Sequence, residues 1–153
     1  PNSGAEPGDT TMADVSIING LAGGLLATIV MTVFMMALGD DSPPPTAALW
    51  AKYVGDGPPE EYMMQGMALH ILYGISAGAA FAVLFTVLEF GLSVVTAVGL
   101  GLGYGVVLTV VGAVFWMNVV LDMDPDPAMV GTFALFHLVY GAVLGGWISQ
   151  GLL

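Results

Sequence analysis

Two histidines, His70 and His137, are the only side chains in this 153-residue chain that ordinarily titrate near neutral pH. Each opens the same pattern, H-x-x-Y-G-x-x-x-G. The first copy reads His70-Ile-Leu-Tyr73-Gly74-Ile-Ser-Ala-Gly78. The second reads His137-Leu-Val-Tyr140-Gly141-Ala-Val-Leu-Gly145. A pair of imidazoles on two related segments can serve as both axial ligands of one haem b, with the glycines making room for the ring. The same pair can hold a metal ion together with Asp or Tyr oxygens. It can also relay protons or cations alongside nearby carboxylates. The plainest use is structural: a neutral imidazole bonding a carbonyl or hydroxyl across a helix interface, worth about 1 kcal/mol. Tyr73, Tyr140, Thr28, Thr109, Asp41 and Asp122 are the expected partners. The candidate cofactor-binding set is therefore His70, Tyr73 and Gly74 with His137, Tyr140 and Gly141, and His70 and His137 are the candidate metal ligands.

Helical spacing gives the pattern its geometry. His70, Gly74, Gly78 and Ala82 are four apart and form one narrow stripe, as do His137, Gly141, Gly145 and Ser149. Gly20 and Gly24, and Gly101 and Gly105, supply similar stripes elsewhere. Small residues at this spacing let another backbone or a flat ligand come close. Each histidine continues a packing stripe, so it is expected to face a neighbour rather than lipid.

The elements that must carry these stripes are four apolar stretches, about 15–38, 66–88, 93–121 and 128–152. Each is long enough to cross roughly 30 Å of hydrocarbon at about 1.5 Å per residue. No Asp, Glu or Lys falls inside them, apart from Glu89 at the end of the second. The fold expected is all-α: a transmembrane four-helix bundle in one domain, 15–153, after an acidic flexible tail, 1–14. The first connection is long. Its middle, Thr46 to Val54, lies between proline clusters and carries Leu49, Trp50 and Tyr53, as a short interfacial helix would. The second connection is a tight turn and the third, DMDPDP, is short and acidic. The long loop and DMDPDP then share one side of the membrane, and both histidines lie toward it. One lysine is too few to orient the chain by its loop charges.

The halves also resemble each other outside the histidine pattern. LLATIVMTVFMM (25–36) matches VVLTVVGAVFWM (106–117), pairing Thr28 with Thr109, and the same offset pairs Asp41 with Asp122. This predicts two helical hairpins of one type, related by an axis along the membrane normal.

Composition agrees. The chain is 57% hydrophobic and 8% charged, with a mean hydropathy of +0.89. A soluble domain would be about a quarter charged. Twelve acids against one base, Lys52, give a net charge of -11. That excludes a basic nucleic-acid footprint and a polybasic lipid anchor. The absence of cysteine removes disulfides, thiolate metal sites and cysteine nucleophiles. No nucleophile elbow or phosphate loop is present, so an independent soluble-type enzyme is not expected. Ten methionines raise copper(I), but scattered methionine in an apolar chain is usually gap filling. The acid excess fits proteins that live in concentrated salt.

The repeated H-x-x-Y-G-x-x-x-G, the Ala27-Thr-Ile-Val-Met-Thr32 segment and the acidic loops resemble a small haloarchaeal family of four-helix integral membrane proteins of unknown function. The resemblance implies a multi-pass protein of an archaeal plasma membrane, and a respiratory setting, since some members lie among respiratory-oxidase genes. It transfers no catalytic residue. Besides the lipid bilayer, the partners it leaves open are further copies of the chain or a larger membrane assembly, in which the chain is an accessory subunit and the histidines only pack.

Overall fold

The computed structural model describes residues 9–91 and 93–153, with side chains described from residue 17 onward. Every regular element among them is helical. Helix α1 spans Asp9–Leu38, α2 Pro45–Tyr53, α3 Met63–Val87, α4 Val94–Val110 and α5 Pro127–Ile148. A short 3₁₀ turn, Pro59–Tyr62, leads into α3, and α4 continues as a π-helical segment, Val111–Val120. Four stretches are long and apolar enough to cross a bilayer: Ile17–Leu38, Pro59–Val87, Val94–Val120 and Pro127–Ile148. They match the four expected spans to within about four residues at every end but one: the second begins at Pro59, well before the expected start at residue 66. Helix α1 takes in residues 9–14 of the segment expected as a tail, and residues 1–8 lie outside the described residues.

Local chemistry sets the helix ends. Ser93 caps α4 by accepting from the Thr96 amide at 3.1 Å, and Asp126 caps α5 by accepting from the Met129 amide at 2.8 Å. Proline opens α2, the 3₁₀ turn and α5, where a missing N–H costs nothing. Glu89 and Asp122 take left-handed backbone conformations just past α3 and the π segment, reversing the chain.

Helix α1 packs along α3, α5 packs along α4, and α1 and α5 join the two pairs. Glycine makes both pairs close. A side chain on Gly20 would meet the Gly78 carbonyl at 2.7 Å, and one on Gly24 would meet the Gly74 carbonyl at 2.6 Å. In the other pair Gly101 lies against Gly141, and Gly105 against the His137 carbonyl. Thr28 and Thr109 occupy corresponding places, each donating back to a glycine carbonyl, Gly24 at 2.7 Å and Gly105 at 2.8 Å.

Helices α3 and α4 meet differently. Tyr104 Oη donates to the Ala77 carbonyl at 2.8 Å, its ring lies 5.1 Å from that of Phe81, and Tyr73 stands edge-on to Trp116 at 6.2 Å. Aromatic side chains bridge this side rather than backbone contact. The core runs through Ala27, Ala77, Phe81, Leu144 and Ile148. The outside is apolar as well: Val33, Val87, Val95 and Val119 are among the exposed residues. A surface of that kind belongs in lipid.

Candidate functional site

On the side of the two acidic connections the helices diverge around a cavity of about 1560 Å³. Asp40, Asp41, Glu60 and Asp126 stand at its loop end. Helix α2 covers part of it. Ala47 is fully buried against Gly66, Thr46 donates to the Gly66 carbonyl at 2.6 Å, and Lys52 donates to the Val120 carbonyl at 2.6 Å. The inner end is a layer of Thr28, Ala77, Leu108 and Tyr140.

Both histidines line this one cavity, as do Tyr73, Gly74 and Tyr140. The imidazoles are contributed by α3 and α5. Gly141 is the exception among the six candidates. It does not line the cavity, because its α-carbon lies against the backbone of Gly101. Gly74 likewise faces Thr28. The two glycines bring helices together, and neither clears room for a flat ring.

The histidine partners differ from those expected. His70 Nε2 lies 3.3 Å from Thr32 Oγ1, and His137 Nδ1 lies 2.8 Å from the Phe133 carbonyl. Tyr140 is 2% exposed and its hydroxyl donates to the Gly74 carbonyl at 2.5 Å, tying α5 to α3 across the floor of the cavity. Tyr73 is partly exposed against Trp116. Among the described residues no group of three or more His, Asp or Glu side chains is placed to hold a metal ion. The carboxylates expected to complete a metal set with His70 and His137 stand at the loop end instead.

Three features of the site lay outside the sequence reading. The first is Thr32, one helical turn beyond Thr28 on the face that looks at His70; its spacing from Thr28 was a usable signal. The second is the π segment, which brings Trp116 and Met117 to the cavity wall. Gly112 within it admits the Phe133 ring to where a side chain would stand, at 2.5 Å. The third is Lys52, the single cation, whose position over Val120 joins the two loops.

Four apolar spans around a largely apolar cavity define a multi-pass helical membrane protein. No protein-family model, curated protein or solved structure matches the chain.

Proposed function

We propose that this is a membrane-embedded binding protein whose ligand sits in the cavity between His70 and His137. The observation that carries the reading is the convergence of two imidazoles, from two helices with the same local pattern, on one cavity inside an otherwise uncharged bundle. Ionisable side chains within spans are costly and usually mark a functional site. Both expected roles of the pair, packing and ligand holding, are compatible with their hydrogen bonds, but packing alone does not call for a cavity of this size around them.

Axial ligation of one haem b by both histidines is the second reading. His137 favours it, since Nδ1 held by a backbone carbonyl presents Nε2 as a neutral ligand, an arrangement common among ligating histidines. The ring would have to lie on the loop side of Gly74, because the glycine stripes are closed by helix packing. A through-path for ions has less support: beyond Tyr140 the core is Phe81, Ala97, Leu144 and Ile148.

The fold reading has the same footing. The matching glycine and threonine contacts of α1 with α3 and of α4 with α5 support descent from a repeated hairpin. The half-buried Trp50 and exposed Tyr53 of α2 support its placement at the headgroup level. The acidic loops support an origin in a salt-rich archaeal plasma membrane.

The deciding experiment is to purify the chain from its source membrane, denature it, and identify what is released, with a visible spectrum taken before denaturation. A stoichiometric small molecule that is lost in both His70→Ala and His137→Ala supports the reading. A Soret band that shifts on reduction assigns haem. A protein that releases nothing and binds nothing has histidines that only pack.

A further inference from the structure

The protons around the cavity can be assigned one by one, and the result constrains the ligand. Thr32 has a single hydroxyl proton, and it goes to the Thr28 carbonyl at 2.7 Å. Thr32 Oγ1 can then only accept from His70, so His70 carries its proton on Nε2. A backbone carbonyl accepts and never donates. His137 therefore carries its proton on Nδ1, directed to Phe133. These partners are a hydroxyl and a carbonyl rather than carboxylates, so a neutral imidazole satisfies each of them. In that state one lone pair is left on each ring: Nδ1 of His70 and Nε2 of His137. Neither makes a hydrogen bond among the described residues, and neither is a sealed, unpartnered atom. Tyr140 has also given its proton away, to Gly74. His70, His137 and Tyr140 thus face the cavity as acceptors, while the Tyr73 hydroxyl and the Trp116 indole N–H, which also line it, make no hydrogen bond among the described residues and stand as donors.

A ligand held between the two histidines must bring donors. At this depth no charged side chain stands by to neutralise an ion, and the carboxylates are at the loop end. The walls are Phe133, Phe136, Trp116 and methionines, which suit a flat apolar body. Resting on the binding reading above, we infer that the site selects an uncharged, membrane-soluble aromatic diol of the hydroquinone type, one hydroxyl donating to His70 Nδ1 and the other to His137 Nε2. The oxidised carbonyl form has only acceptors to offer. It would face two lone pairs, and either ring could turn donor only by giving up its bond to Thr32 or Phe133.

The test uses the full chain in lipid nanodiscs and three probes with the same decyl tail: a benzohydroquinone kept reduced, its dimethyl ether, and the matching benzoquinone. Trp116 in the wall makes tryptophan fluorescence a direct readout. The hydroquinone is expected to bind about tenfold or more tighter than either of the others, because a site built to pair hydroxyls leaves its own groups unpaired with an analogue that lacks them. The comparison is made on the unaltered protein, so it does not depend on any variant folding. His70→Phe and His137→Phe are each expected to bring the ratio of hydroquinone to ether toward one. Equal binding of all three probes, or tighter quinone, overturns the inference. If no probe binds but the native protein releases another small molecule, the donor inference fails and the binding reading stands. If no probe binds and nothing is released, both fail.

Discussion

Tyr140 shows how one residue links packing and site. Its ring is buried in the core, and its hydroxyl reaches from α5 to the Gly74 carbonyl of α3. Tyr140→Phe keeps the ring and removes the bond. The expected loss is about 1 kcal/mol, since hydrogen bonds between helices in a membrane average well below 2. Denaturation in mixed micelles measures it, and an unchanged midpoint would show that the bond is not formed. Glycine positions give a sharper contrast. Gly101 lies against the Gly141 backbone, whereas a side chain at Gly103 would meet nothing within 4 Å. Gly101→Leu is expected to force α4 from α5 at a cost of about 3 kcal/mol, the upper part of the overpacking range. Gly103→Ala should fall within about 0.5 kcal/mol of the parent, as free surface substitutions do. Equal effects of the two would mean that the close α4–α5 approach is wrong. Both glycines look alike in the sequence, since Gly99 and Gly103 make the same four-residue step as Gly101 and Gly105, and only the packing of α4 on α5 separates them.

At the scale of elements, the π segment separates two stretches that the sequence presents as equivalent. Met36 in α1 and Met117 in the π segment hold matching places in the repeated pattern. Met36 is 82% exposed, and Met117 is 2% exposed. A π turn holds more residues than an α turn, so it rotates the side chains that follow it. That rotation carries Met117 inward. The chain has no cysteine, so a single introduced thiol is unique. Met36→Cys is expected to react with a maleimide about tenfold faster than Met117→Cys, because reactivity follows access. Similar rates would indicate an α-helical register at both places. The spans were legible because an uncharged run of this length has few other meanings. That both histidines would turn inward, to what is one cavity, was legible because the pattern recurs at helical spacing. The π register was not, and the contacts that accompany it are long-range: Phe133 against Gly112 and Lys52 over Val120. The same holds for Gly141, whose role depends on which surface Gly101 presents. The turn after α1 adds a pH effect. Hydrogen bonds from the Ser42 hydroxyl and then its amide hold the Asp40 carboxyl below the usual carboxylate range. Their contribution is present above the ordinary carboxylate range and is lost as pH falls through the lower native value. Ser42→Ala is expected to move the Asp40 titration upward, as followed by carboxyl NMR shifts. An unmoved titration would show that these bonds do not hold the carboxylate.

For the whole molecule, the distribution of charge matters more than its sum. Asp40, Asp41, Asp56, Glu60, Glu61, Asp122, Asp124 and Asp126 all lie in the connections at one end, while Glu89 lies at the other. The single cation, Lys52, sits among the first group and is bonded to a backbone carbonyl. The loop end therefore carries a dense negative field over the mouth of the cavity. Self-repulsion of this kind opposes the compact arrangement of α2 and the loops, and salt weakens it. The screening length falls from about 10 Å at 0.1 M to about 3 Å at 1 M. Beyond the 3₁₀ turn with Glu60 and Glu61 the described parts of the spans are uncharged, so salt acts on the loop end and has little electrostatic effect on the glycine-packed core. Raising sodium chloride from 0.1 to 1 M is thus expected to slow hydrogen exchange in α2 and raise the midpoint of thermal unfolding in detergent. Lys52→Met removes the only opposing charge and the bond to Val120, and should enlarge the salt effect while lowering stability at low salt by about 1 kcal/mol. If α2 exchanges equally fast at both salt concentrations, the carboxylates do not strain the loop end. Their number would then report the solvent the protein was selected in, with no part in loosening the mouth of the cavity.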